Sequence, residues 1–140
     1  MKTQLFFDLT PPDNLGIKVH FCESADIASV QPDLRAKNIA LFELDGATIH
    51  NHEQLFRAFA IALQKPKGWY GDEEYATNAN AFLEYLDDVH EWVPASGHIV
   101  VFRGGEQVWK ANTRLPGELV EWWQFATGDR DSDIHLVFVW

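Results

Sequence analysis

From Asn38 onward the chain alternates between short apolar runs and amphipathic stretches. The run IALFEL, closed by Asp45-Gly46, reads as a buried strand, since a short continuous apolar run ended by a turn signal suits a strand covered on both faces. Asn51, with Gln54 three residues on, resembles a capping box and opens a helix on which Leu55, Phe59 and Leu63 form one stripe, Phe56 and Ala62 lying beside it. Pro66 and Gly68 are expected to close that helix. A second helix is expected from Thr77 or Asn78, either of which can cap, to about Val89. At about 100° per residue, Phe82, Tyr85, Leu86 and Val89 fall together, and Asn80, Glu84, Asp87, Asp88 and Glu91 fall opposite. IVVF from Ile99 is the next strand, Glu118 to Ala126 a helix, and IHLVFVW a final strand.

Strand, helix, helix, strand, helix, strand is an α/β order, which points to a small parallel sheet joined by right-handed crossovers and covered by helices on at least one face. Gly104-Gly105 could instead turn a hairpin and make Gln107 to Trp109 an edge strand, the second choice for that stretch. The first 37 residues are looser, because Pro11-Pro12, Asn14, Gly16 and Pro32 interrupt their apolar pieces. We therefore expect an appended segment over 1–37, packed on a main domain over 38–140. Leu5 to Leu9 and Ile17 to Cys22 could add strands to it; in the second, Ile17, Val19 and Phe21 alternate with Lys18, His20 and Cys22 as on a half-buried strand.

The 140 residues fit one domain of ordinary size, and 46% hydrophobic residues supply a core, so disorder is excluded. Eleven Lys and Arg against 21 Asp and Glu leave a formal charge of −10, which repels nucleic acids and anionic membranes and favours a basic protein partner. The single cysteine, Cys22, cannot close an internal disulfide, and Leu5-Phe6-Phe7 before Asp8 is far too short for a signal h-region or a membrane span. A reducing cytoplasm is the expected location.

Charge is unevenly spread. No Lys or Arg occurs from Gly68 to Phe102, while that window holds Asp72, Glu73, Glu74, Glu84, Asp87, Asp88 and Glu91. Like charges at i, i+3 and i+4 repel, each pair costing a few tenths of a kcal/mol. A basic partner would offset that cost; a solvated outer face of an acidic protein is the plainer explanation. PKGWYGDEEY carries Trp69, Tyr70 and Tyr75 beside this charge, a composition suited to protein binding, although such rings also serve to cover helix ends.

Signatures of catalysis are sparse: there is no Gly-rich phosphate loop, nucleophile elbow or His-Glu-x-x-His pair. Asp87, Asp88, His90 and Glu91 lie close in sequence, but Asp87 and Asp88 point about 100° apart on a helix, and the spacing matches no established metal-ligand set. No metal or other cofactor is expected. His98 and His135 belong to or adjoin strands and read as structural, and Trp122-Trp123 as one core ring and one partly exposed ring.

Taken together, Leu44-Asp45-Gly46, Pro66, Trp69-Tyr70-Gly71 and the helix start Asn78-Ala79-Asn80-Ala81-Phe82-Leu83-Glu84, followed by Leu86, resemble the barstar family of intracellular inhibitors of secreted bacterial ribonucleases. The resemblance covers about Asn38 to Trp140. It implies a three-stranded parallel sheet with about four helices, and a non-catalytic, immunity-type function in which an aromatic loop and an acidic helix plug a ribonuclease's RNA-binding cleft. Carboxylates there take the place of substrate phosphate. It implies a partner-binding set of Trp69, Tyr70, Gly71, Asn78, Asn80, Leu83, Glu84, Asp87, Asp88 and Glu91. Within it Trp69 is the ring against the enzyme, Gly71 the close backbone approach and Asn78 the helix-start contact. Asn80 and Glu84 stand where the family usually carries two aspartates, and DEEYAT (72–77) stands where it typically has one residue. The acidic residue of the family's last helix is Glu118 or Glu121.

The expected function is thus inhibition of a basic ribonuclease-like protein, a toxin or secreted nuclease, with no nucleic-acid or membrane partner. Two alternatives remain at this level: an acid/base enzyme using Glu84, Asp88 and His90, and a scaffold module.

Overall fold

The computed structural model describes residues 18–69, 74–127 and 134–140. Four strands, β1 (Val19–Cys22), β2 (Ile39–Asp45), β3 (Gly97–Arg103) and β4 (Ile134–Val139), form one wholly parallel sheet in the order β1-β4-β3-β2. Five α-helices connect or flank them: α1 (Ser24–Ala36), α2 (His52–Ala62), α3 (Ala79–Trp92), α4 (Gly105–Ala111) and α5 (Arg114–Thr127). The expected α/β class holds. The sheet gains a fourth strand from the segment ahead of the barstar-like region, whereas the expected strand at Leu5 to Leu9 lies outside the described residues.

Strand order dictates where the helices go. The chain runs from β1 at one edge across to β2 at the other, then steps back through β3 to β4. If every parallel crossover has the same hand, the outward leg and the return legs must use opposite faces. The two cores obey this. Ile27 and Leu34 of α1 pack on Ile39, Ile99, Val101, Val137 and Val139, while α2, α3, α4 and α5 bury Leu55, Phe59, Phe82, Val108, Leu119 and Trp123 against Phe42, Val100, Phe102, Leu136 and Phe138. Central β3 and β4 are covered on both sides, which is why they read as unbroken apolar runs.

Four local expectations are corrected. In β1 the polar set is the buried one: Lys18 and His20 are buried, whereas Phe21 is 49% exposed and leans on Phe138 at 5.2 Å. Alternation assumes one wet face, whereas Lys18 and His20 lie on a face that is buried. Gly105–Ala111 is a helix and no hairpin. The last helix starts at Arg114, four residues early, because Pro116 is tolerated in a first turn where its missing N–H costs nothing. The helix from Asn51 ends at Ala62, before Pro66 and Gly68: Gln64 turns left-handed (φ 59°), and the Lys65 and Gln64 amides donate to Ala60 O at 3.0 Å and Ile61 O at 3.1 Å, the paired bonds of a Schellman stop.

Asp45-Gly46 turns the chain out of β2 as expected. Asp45 accepts from Ala47 N at 3.0 Å, and a Cβ on Gly46 would sit 2.7 Å from the Phe102 ring and 2.8 Å from Arg103 O, so only glycine fits.

Candidate functional site

Asn78 sets the phase of α3. Its Oδ1 accepts from Ala81 N at 2.9 Å, and its extended backbone (φ −150°) stands just outside the helix. From that start Phe82, Tyr85, Leu86 and Val89 fall in the core, with Phe82 fully buried and in ring contact with Phe56 and Phe59 at 5.5 and 4.9 Å. Asn80, Glu84 and Glu91 are exposed, and Leu83, Asp87 and Asp88 are half-buried along the flanks. The acidic face lies where the 100° arithmetic puts it.

This face opposes its own helix. The first turn of α3 holds no carboxylate, while Glu91 lies in the last turn, beside the partial negative charge of the unsatisfied carbonyls, and Asp87 and Asp88 stand just ahead of that turn. Neighbouring pairs such as Glu84 with Asp88 and Asp87 with Glu91 stand at i, i+4, the spacing at which like charges repel. A helix arranged for stability alone would reverse this order.

The aromatic loop meets the other end of α3. Trp69, half-buried, stands edge-on to Trp92 with 5.3 Å between ring centroids, and the Trp92 indole N–H donates to Leu63 O at 2.8 Å. A turn with Trp69 N donating to Pro66 O at 3.2 Å, and Gly68 at φ 80°, brings the chain there; the left-handed Gly68 is open on its Cβ side, so its requirement is conformational rather than steric. Tyr70, Gly71, Asp72 and Glu73 lie outside the described residues. The structure therefore brings Trp69 and α3 together and gives no placement for the other two loop residues of the expected set.

Between the two acidic candidates of the last helix, the structure distinguishes clearly. Glu118 is engaged: its Oε2 is 2.8 Å from His52 Nε2 and its Oε1 accepts from Arg114 Nε at 2.8 Å, and Arg114 first, then His52, hold its carboxyl below the ordinary range. Glu121 is exposed.

Sequence reasoning missed one set entirely. Tyr75, within DEEYAT, bonds to Glu53 and Arg57 of α2, and nothing in the local pattern announces a contact 18 to 22 residues away. Open grooves of about 410 Å³ beside Arg57, Ile61 and Lys67, and about 350 Å³ beside His52 and Phe56, adjoin Tyr75 and not the acidic face. Glu84 and His90, two of the three residues of the acid/base alternative, are both exposed but lie about 120° apart around α3. Among the described residues no three His, Cys, Asp or Glu side chains gather as metal ligands. Burial, helped by Asp26, pushes the half-buried Cys22 thiol up to about 11, which keeps it protonated and unreactive at neutral pH.

Among the described residues, one helix lies behind the parallel sheet and four lie in front, an α/β architecture with a charged outer face on α3. Residues 39–138 match the family model described as Barstar (barnase inhibitor), and the chain belongs to that family. No curated protein sequence matches the chain. Among solved structures, a chain in the structure of Drosophila ORC bound to DNA superposes with a TM-score of 0.56 at 10% identity, over 89% of this chain and 32% of that one. At that identity the likeness is one of fold alone, and this chain spans about a third of that chain's length.

Proposed function

We propose that this protein is a non-catalytic, immunity-type inhibitor that occupies the active-site cleft of a basic ribonuclease with the Trp69 loop and the outer face of α3. The observation that carries this reading is the gathering of Glu84, Asp87, Asp88 and Glu91 along the outer side of α3, on a chain of the barstar family. Contact residues on this reading are Trp69, Tyr70, Gly71, Asn78, Asn80, Leu83, Glu84, Asp87, Asp88 and Glu91, with Glu121 as the acidic group of the last helix. Asn80 removes one charge and Glu84 adds one methylene relative to the family aspartates, so the target's pocket differs from barnase in depth and charge. Residues 38–140 carry the inhibitor, and the preceding segment serves it by adding β1 and α1. No helix among the described residues is long and apolar enough to cross a membrane, and a cytoplasmic site of action in a bacterium agrees with the inhibitor role.

Calorimetric titration against a barnase-type ribonuclease tests this. Glu84→Ala costs more than about 2 kcal/mol, because truncation leaves a desolvated cation in the cleft; the barnase complex of this same family is one source of that scale, which is carried over. Asp33→Ala, an equal charge change at an exposed position of α1 behind the sheet, costs under about 0.5 kcal/mol. Association slows steeply between low and physiological salt. Equal small losses for the two variants, or a salt-independent association rate, would refute the electrostatic reading.

A further inference from the structure

The insertion that separates this chain from the family pattern contains a fastened residue, Tyr75. The Tyr75 hydroxyl accepts from Arg57 Nη2 at 3.0 Å and donates to Glu53 Oε1 at 3.0 Å. The Arg57 guanidinium also lies 4.8 Å from the centroid of the Tyr75 ring, and its Nη2 is 3.6 Å from Glu53. Glu53 and Arg57 are one turn apart on α2, so ring, cation and carboxylate close into a three-way set on that helix. The Tyr75 ring packs against the main core, and the next residue, Ala76, is buried. Two residues further on comes Asn78, the cap of α3.

The described residues on either side of 70–73 are both seated: Trp69 on Trp92 at the end of α3, and Tyr75 on the outer side of α2. An exposed Glu–Arg pair one turn apart contributes little by itself. Its geometry matters here because it aims an acceptor and a donor at one hydroxyl and offers a cation to the ring face. Holding a loop in its bound shape lowers the ordering cost of association, an effect that appears in the dissociation rate more than in overall stability.

We propose that Tyr75 is a positioning residue for partner recognition: its hydroxyl latches residues 74–78, the approach to α3, onto α2 and so determines which ribonuclease cleft α3 can enter. The latch stands on geometry alone, and its consequence for specificity rests on the inhibitor reading. Tyr75→Phe in the full chain keeps the ring and its stacking on Arg57 but removes both hydrogen bonds. Amide hydrogen exchange at residues 74–78 is expected to speed up about tenfold, with β3 amides and the thermal midpoint unmoved. Dissociation from a barnase-type ribonuclease is expected to speed up about tenfold, with association within about twofold of wild type. Unchanged exchange in Tyr75→Phe overturns the latch, and faster exchange with unchanged dissociation overturns its role in recognition. A wild-type chain that does not bind the ribonuclease overturns the inhibitor reading and the recognition role with it, while the exchange measurement still decides the latch.

Discussion

The two faces of the sheet are built to different ends. Behind it α1, the one helix there among the described residues, covers a small apolar cluster, and a polar group is buried on the same side: Lys18 just ahead of β1, His20 on it and His135 on β4, with His20 Nε2 2.8 Å from His135 Nδ1. In front of it α2, α3, α4 and α5 enclose a core rich in aromatic rings, and each of these helices keeps an outward stripe for solvent. The difference teaches where a small protein can place a charged binding surface. Glu84, Asp87, Asp88 and Glu91 stand on a helix whose inner side is anchored by Phe82, Tyr85, Leu86 and Val89, so repulsion on the outside is resisted by apolar burial on the inside. The single helix behind the sheet has a sparser anchor in Ile27, Val30 and Leu34.

Cavity mutations break this comparison most forcefully. Phe82→Ala is expected to cost about 3–5 kcal/mol and Ile27→Ala about 2–4 kcal/mol, both side chains being fully buried. Urea unfolding measures both. The sharper contrast is in binding: at temperatures where each variant remains folded, Phe82→Ala weakens ribonuclease affinity by loosening α3, and Ile27→Ala leaves it within about twofold. Equal binding losses would mean that the faces are coupled.

Acid sharpens the comparison from the other side. Burial, with Lys18 as a lesser cause, lowers His20 from 6.5 to about 4; burial, then His20 and Lys18, lower His135 to about 3. Folded, both rings are neutral between pH 6.5 and 4, while the unfolded chain takes up protons below 6.5. Stability is therefore complete above pH 6.5 and falls as pH drops toward 4, with a slope of at most about 1.4 kcal/mol per pH unit for each proton taken up. The decline is already present between pH 6.5 and 5, above the carboxylate range. Thermal midpoints measured over that interval in wild type and in the His20→Gln, His135→Gln double variant check this. A wild-type midpoint that is flat there would remove the buried histidines as its acid-sensitive element.

The smallest effect concerns how the helices stop. The helix α1 hands over to Asn38 at φ 60° and α2 to Gln64 at φ 59°. Asparagine visits the left-handed region readily and glutamine does not, so Gln64→Gly is expected to stabilise by about 0.5–1 kcal/mol and Asn38→Gly by a few tenths at most. Calorimetric midpoints of the two variants decide it.

Legibility followed length and cap chemistry. The strands β2, β3 and β4 were legible because apolar runs bounded by turn residues need no partner to be recognised, and α2 and α3 because Asn51 and Asn78 mark where their periodicity begins. α1 was hidden by Pro32, read as a breaker. Pro32 withholds only the bond to the Ala28 carbonyl, and both residues are exposed, where water can serve instead. α4 spans seven residues and begins at the second of two glycines, too short to show a period. The acidic face followed from helix phase, whereas the Tyr75 latch depends on side chains from separate elements and has no sequence signature.

The pairing of β1 with β4 has a kinetic consequence. His20 and His135 meet across 115 positions of the chain, so the first described strand has no neighbour in the sheet until the last one has been made. Sheet closure then resembles fastening the two ends of a belt, a step of high contact order that pays nearly the whole loop-closure entropy at once. During synthesis α2, α3 and β3 can associate, and α1 can settle on β2 and β3, while β1 waits for β4. We therefore expect the docking of β1 on β4 to be the slow phase of folding, completed only after the C-terminal strand has left the ribosome.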